Sequence, residues 1–273
     1  MSWGVRGLTV RYRGRPALSG VDLEVPPGQV VAVVGADGAG KTTLLRAMAG
    51  ILEPDEGEVR RPAPERLGYV SAASGVYPDL TAAENLAFAA AAYRVPDPGG
   101  RTATLLSATG LSGARDRLGA ELSGGMRRKL GVAMALVHDP ELLVLDEPTT
   151  GLDPLSRVEI WALLAGAAAE GAAVLLSTTY LEEAERAARV LVLEEGRPLA
   201  VGSAEEVVAS VPGAVLEAEA RPFGLATWRR GRVWRAWAPD GHPFPGARVV
   251  APDLEDAVMV AALARAGGDR GPR

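Results

Sequence analysis

The chain has 273 residues, a formal net charge of −5, 48% hydrophobic and 23% charged residues, and no cysteine. At ~150 residues per domain this is one large or two unequal domains with ample apolar content, which excludes wholesale disorder. The missing cysteine excludes a disulfide framework, a thiolate metal site and a cysteine nucleophile, and the acidic balance argues against a general nucleic-acid binder.

Residues 1–14 carry no signal-peptide apolar region. The longest apolar runs, Val30 to Val34 and Leu86 to Ala92, fall far short of the ~20 residues that span a bilayer. A soluble, cytoplasmic chain is expected. Leu8 to Tyr12 and Val21 to Val25 alternate apolar and polar residues as half-buried strands do, and Pro26-Pro27-Gly28 closes them with a turn. Val30 to Val34 is continuously apolar, the mark of a strand buried on both faces. It runs into a glycine-rich turn, Gly35 to Gly40, with a helical pattern from Thr42.

From about residue 72 to 139 the pattern is mainly helical. Thr81 and Glu84 form a capping box ahead of Leu86 to Tyr93. Pro96-Asp97-Pro98-Gly99-Gly100 predicts a loop, and a further helix spans Met126 to Val137. Two more buried-strand runs, Leu142 to Leu145 and Ala173 to Ser177, flank a helix through Trp161 and Leu164. Apolar strands alternating with helices predict an α/β fold with a parallel sheet. The character changes around Val211-Pro212-Gly213, so the expected domains are 1–210 and a small β-rich accessory domain, 211–273. In the latter, Trp228, a turn at Arg229-Arg230-Gly231 and Val233 to Trp237 predict a hairpin, and a last helix is expected over Leu254 to Ala266. Arginines 221, 229, 230, 232 and 235 lie among Trp228, Trp234 and Trp237 with no acidic residue between Ala220 and Pro239. A hairpin with a solvated arginine face is the simplest reading; a single-strand-binding platform and a membrane-surface contact are the alternatives.

Gly35-Ala36-Asp37-Gly38-Ala39-Gly40-Lys41-Thr42 fits the phosphate-loop pattern G-x-x-x-x-G-K-[ST]. Glycines let successive backbone N–H groups curl around a phosphate with no Cβ in the way, and the following helix adds the positive end of its dipole. Amides between Ala36 and Thr43 are expected to grip the phosphates, Lys41 to reach the β- and γ-phosphates and Thr42 to ligate Mg²⁺. Of the 29 basic residues only Lys41 and Lys129 are lysines, so the placement at 41 is selective. The apolar strand Leu142 to Leu145 then delivers Asp146 and Glu147 at its C-terminal end, where open α/β sheets bind ligands. Asp146 suits Mg²⁺, and Glu147 is the candidate catalytic residue, orienting or deprotonating an attacking water.

Leu122-Ser123-Gly124-Gly125-Met126 resembles the LSGGQ signature of ATP-binding cassette (ABC) ATPases, with methionine in the last position, and Glu147 to Asp153 resembles their Walker B glutamate running into the D-loop. Pro252-Asp253-Leu254-Glu255-Asp256 is similar to the C-terminal extension of subunits that serve drug and antibiotic exporters. The resemblance covers about residues 2–210. It implies the P-loop ABC-ATPase fold, with a mixed sheet core, an antiparallel β subdomain and a helical subdomain. ATP and Mg²⁺ are the implied cofactors, and Tyr12 lies where the family stacks an aromatic on adenine, core packing being the alternative for a strand tyrosine. Two ATP-binding subunits are implied to close head to tail, with Ser123, Gly124 and Gly125 at a helix start facing the partner subunit's γ-phosphate. An integral membrane permease would dock around Ala72 to Phe88, and the subunit would sit peripherally on the inner face of the membrane. No nucleic-acid partner is expected.

Two family positions depart from the pattern. The Q-loop glutamine falls at Ala72, and Gln29 is the chain's single glutamine. The switch histidine is replaced by Thr179, and the two histidines, His138 and His242, lie elsewhere. Losing such positioned polar groups costs ~10²–10³-fold in rate, so low intrinsic turnover is expected beside intact ATP binding. The expected arrangement is one half of a heterodimer with asymmetric sites, with a homodimer of two slow sites as the alternative. Competing functions are an ABC ATPase acting on nucleic acid or ribosomes, and a regulatory ATP-binding subunit without turnover.

Overall fold

The computed structural model describes residues 2–268. β1 (Trp3–Tyr12) and β2 (Arg15–Val25) form a hairpin longer than the alternating segments alone suggest. β3 (Val30–Val34) is buried at every position and leads through the glycine turn into α1 (Lys41–Met48). β4 (Glu56–Arg60) pairs antiparallel with β1, giving a three-stranded sheet of order β2-β1-β4, and β5 (Leu67–Val70) follows.

α2 (Ala82–Ala92), α3 (Pro98–Ala108) and α4 (Gly124–Leu136) form the helical region. The Thr81–Glu84 capping box is present in full. The loop expected at Pro96 to Gly100 is shorter than the sequence suggests: Asp97 caps α3 by accepting from Gly100 N at 3.0 Å, and Pro98 opens the helix. Proline at the first helical position has no N–H to leave unpaired, and its fixed φ suits the helix. Next come β6 (Leu142–Leu145), α5 (Pro154–Ala169), β7 (Ala173–Thr178), the short α6 (Leu181–Ala184), β8 (Arg189–Glu194) and β9 (Arg197–Gly202).

The central sheet has the order β5-β6-β7-β3-β8-β9, with β5 through β8 paired in parallel. Every residue of β3, β6 and β7 is buried, as expected of strands covered on both faces. The register sets Val34 opposite Thr178 and Leu145 opposite Leu176, so the three strands end along one edge. That edge positions the phosphate-loop turn, the Asp146–Glu147 pair and Thr179 in one neighbourhood. Mixed core sheet, antiparallel sheet and helical region together make the α/β architecture read from the sequence.

Chain contacts divide at Pro198/Leu199, inside β9 and ahead of the change of character read near residue 211. The second unit holds α7 (Ala204–Ala209), β10 (Ala214–Ala218), β11 (Ala226–Arg230), β12 (Val233–Ala238), β13 (Ala247–Val250) and α8 (Leu254–Gly268). Its sheet has the order β11-β12-β10-β13. Residues 269–273 of the accessory domain read from the sequence lie outside the described residues. The predicted hairpin is there, but its turn is Gly231-Arg232, because Arg230 pairs with Val233. Trp228 is buried with Val215 and Val260, and its Nε1 donates to Oδ1 of the fully buried Asp256 at 3.2 Å.

The arginine face is less solvated than expected. Arg230 pairs with Asp253 and Asp256, Arg235 pairs with Glu217 and Asp256, and Arg221 and Arg229 lie over the Trp234 ring at 5.3 and 5.5 Å. Acidic partners from β10, from α8 and from Asp253 just ahead of α8 supply what the local sequence lacks. Among the described residues no helix is long and apolar enough to cross a membrane.

Candidate functional site

The turn between β3 and α1 is built for close backbone approach. A Cβ at Gly35 would sit 2.4 Å from the Leu193 carbonyl oxygen. Gly40 has φ 107°, and a Cβ there would meet Leu18 Cδ2 at 2.7 Å and Ala17 O at 2.8 Å. Neither position admits another residue without displacing its neighbours. Gly40 is also the N-cap of α1 and brings no side-chain cap, while the first capping-type bond runs from Leu44 N to Gly40 O at 3.0 Å. The amides of Lys41, Thr42 and Thr43 are therefore the orphan donors of a helix start, and the dipole there favours an anion. Ala36, Asp37 and Gly38 form the exposed lip of the turn, and Ala39 is buried beneath it with its N–H on Ala36 O at 3.1 Å.

Side chains converge on the same edge. Lys41 is 5% exposed, and its Nζ donates to the carbonyls of Gly35 at 2.8 Å and Ala36 at 3.3 Å. It also pairs with Glu147 Oε1 at 3.5 Å. Thr42 Oγ1 donates to Asp146 Oδ1 at 3.2 Å across 104 residues of sequence. Hydroxyl and carboxylate oxygens at this separation form the hard oxygen donor set that suits Mg²⁺, so the residues present fit the metal. Glu147 sits at φ 51°, a left-handed conformation for a non-glycine residue. Such strain persists only where the surroundings over-determine it, as functional sites do.

A residue the sequence reading missed does much of that work. Ser177, buried at the end of β7, donates to Asp146 Oδ1 at 2.7 Å and accepts from Glu147 N at 2.9 Å. The available signal was a serine directly after the apolar run Ala173 to Leu176, within the same buried strand, since a buried hydroxyl needs a partner. Glu183 was missed as well. It is buried and accepts from Thr149 Oγ1 at 2.8 Å and Thr178 Oγ1 at 2.7 Å, joining the segment after Glu147 to the end of β7.

The remaining predicted residues have definite places. Tyr12 is 46% exposed at the end of β1, so it is not a core tyrosine. Ser123 caps α4, accepting from Met126 N at 3.2 Å, and Gly124 and Gly125 form the first turn of that helix. Ala72 is exposed and offers its carbonyl to Arg128 Nη1 at 2.8 Å. Thr179 is exposed directly after β7. His138 stacks on the Tyr93 ring at 3.6 Å, and His242 is an exposed residue of the second unit.

This fold and this edge define a P-loop nucleotide-binding α/β protein with a carboxylate pair at the end of a neighbouring strand. Residues 18–150 match the family model described as "ABC transporter". The "Probable multidrug ABC transporter ATP-binding protein YbhF" of Escherichia coli (strain K12) is 40% identical over 223 residues, which are 77% of this chain and 39% of that protein. This chain thus spans well under half the length of that relative. The "Daunorubicin/doxorubicin resistance ATP-binding protein DrrA" of Streptomyces peucetius is 40% identical over 223 residues, 77% of this chain and 68% of that protein. A solved "ATP binding subunit of ABC transporter" superposes with a TM-score of 0.71 at 30% identity, over 77% of this chain and 92% of that one. The chain belongs to the ATP-binding proteins of the ABC transporter family, whose domains bind ATP.

Proposed function

We propose that the chain is the ATP-binding and ATP-hydrolysing subunit of an exporter-type ABC transporter, with slowed hydrolysis at its own phosphate loop. The observation that carries this is the meeting of Lys41, Thr42, Asp146 and Glu147 at one sheet edge, on segments distant in sequence. In this reading the amides from Ala36 to Thr43 hold the phosphates of ATP, and Lys41 exchanges its carbonyl and Glu147 contacts for phosphate oxygens. Thr42 and Asp146 ligate Mg²⁺, which neutralises phosphate charge when bound, and Tyr12 stacks on the adenine. Glu147, released from Lys41, orients and deprotonates the attacking water. Ala72 and Thr179 supply neither the polar reach nor the charge the family has at those positions, so this step is slow.

Ser123, Gly124 and Gly125 complete the site of a second ABC subunit, in a heterodimer by preference and a homodimer as the alternative. A separate integral membrane permease docks near α2, where Tyr77 (46% exposed) and Phe88 (51% exposed) meet edge to face at 4.9 Å. Asn85 holds that surface rigid through the carbonyls of Tyr77, Leu80 and Thr81 and the N–H of Tyr77. The subunit is then cytoplasmic and peripheral on the membrane. The relatives named for multidrug and daunorubicin/doxorubicin resistance support the outward direction. A nucleic-acid partner is not part of the reading, since Arg230 and Arg235 are engaged by acidic side chains.

Calorimetric titration of the purified chain with Mg-ATP tests the site, and turnover with and without a second ABC subunit tests the asymmetry. Mg-ATP binding that Lys41→Ala weakens, with little turnover until the second subunit is added, is the expected result. No heat of binding on folded material overturns the reading. Ordinary transporter rates from the chain alone overturn the slowed site.

A further inference from the structure

α4 grips the turn that follows β5 at two points. Arg128 Nη1 donates to the carbonyls of Ala72 at 2.8 Å and Ser71 at 3.3 Å. One helical turn further on, a Cβ at Gly131 would lie 2.4 Å from the Ser74 carbonyl oxygen, so helix and turn are in backbone contact there. Ser74 itself is at φ 64°, and its N–H closes the turn on Ser71 O at 2.9 Å. The Ser71 carbonyl thus receives both the turn's own bond and the guanidinium. The turn starts directly beside the carboxylate pair, because Val70 O accepts from Asp146 N at 2.8 Å.

Position 72 carries only a methyl group, so the turn has no side chain with which to reach a nucleotide from here. An arginine has five donors in a rigid fork. Arg128 is half-buried, and the other nitrogens of its fork make no hydrogen bond to the described residues. Burial pulls its pKa down, and the carboxylates of Glu147 and Asp146 act on it in the opposite sense. The guanidinium therefore stands within the field of the groups assigned to metal and water.

We propose that Arg128 is a positioning residue for ATP hydrolysis: it clamps the Ser71–Ala72 backbone to α4 beside Asp146 and Glu147, so that the turn responds to nucleotide through α4 instead of through residue 72. The proposal rests on the ATPase reading above. The clamp joins the turn to the helix that Ser123 caps, so the half of the site offered to a second subunit and the turn move as one piece. Lysine is an incomplete substitute, because its ammonium sits on a flexible stem and lacks the rigid planar group that fixes the Nη1 donor on both carbonyls.

The experiment compares the full chain with Arg128→Met and Arg128→Lys, with a second ABC subunit present wherever turnover is read. It reads Mg-ATP and Mg-ADP affinity by calorimetry, kcat and KM for ATP, and amide exchange over residues 71–77 in each nucleotide state. Arg128→Met should lower kcat by about 10–100-fold, as the loss of an outer-shell partner does, with KM and Mg-ATP affinity shifting by less than about threefold. The difference in exchange between the ATP and ADP states over 71–77 should vanish, and Arg128→Lys should restore part of both effects. If Arg128→Met keeps the wild-type kcat and the wild-type exchange difference, the clamp is overturned. If the wild-type chain itself takes up no Mg-ATP, the functional reading falls first, a result distinct from binding that persists without any dependence on residue 128.

Discussion

The two halves of the nucleotide edge are furnished very differently. At the β3–α1 turn and the end of β6, the converging side chains hold one another: Lys41 has two carbonyls and Glu147, Thr42 has Asp146, and Asp146 also has Ser177. After β5 and after β7, where the family places glutamine and histidine, the chain has the methyl group of Ala72 and the short neutral side chain of Thr179. The contrast separates gripping a triphosphate from cleaving it. In the proposed reading the grip uses backbone amides and a buried cation that this chain keeps, whereas cleavage keeps Glu147 but has lost the glutamine and histidine that would assist it.

Glu147→Gln cuts across that division hardest. The amide keeps the shape of the carboxylate but cannot take a proton from water. Turnover measured with a second subunit present should fall by about 10²–10³-fold, a typical cost for a positioned group acting on the transition state. Mg-ATP affinity should hold, and an ATP-bound dimer should persist in size-exclusion chromatography. Unchanged turnover would place the chemistry elsewhere.

Lys41→Ala attacks the other side. A hydrogen bond to a charged group contributes about 1.5–3 kcal/mol, so calorimetry should show Mg-ATP affinity weakened by about 10–100-fold. The same substitution leaves the Glu147 carboxylate without its 3.5 Å partner. Affinity equal to wild type would mean that the amides alone make the grip.

The double substitution Ala72→Gln with Thr179→His should narrow the difference between the two halves. Both positions are exposed at the correct edge, so neither new side chain has to displace core. Turnover should rise by about tenfold, part of what the two lost groups are worth, with Mg-ATP affinity unchanged. No gain would show that Arg128 and α4 already hold the turn in a position the glutamine cannot improve.

The gripping half was legible because it is local: strand, glycine turn, lysine and helix lie within residues 30–48, and each residue type answers to a single requirement. The carboxylate pair was legible for the same reason, as two acids at the end of an apolar strand. The groups that support them were not. Ser177 acts because β7 lies beside β6, and Arg128 acts because α4 packs on the turn after β5; neither neighbour relation is written within a short window. β4 (Glu56–Arg60) offered no apolar signal, being mostly exposed, and forms because β1 presents a free edge from far back in the sequence. At Pro96 to Gly100 the turn-forming composition was read as a loop, while Asp97 and Pro98 were the cap and first residue of α3.

Ser177→Ala is the finest test of the contrast, because it alters the gripping half without replacing any residue assigned to ATP or Mg²⁺. The Ser177 hydroxyl is fully buried, donates to Asp146 Oδ1 and accepts from Glu147 N. Alanine there leaves the part-buried Glu147 N–H without its acceptor and Asp146 Oδ1 with the Thr42 hydroxyl alone, a loss of about 1–3 kcal/mol. Denaturant unfolding should register that loss as a lower midpoint with an unchanged slope. Because the Glu147 N–H bond also helps hold a residue at φ 51°, the carboxylate should lose its fixed aim, and kcat should drop by more than KM changes. Stability lost with kcat intact would show that β6 alone sets the strained turn and that β7 contributes only packing.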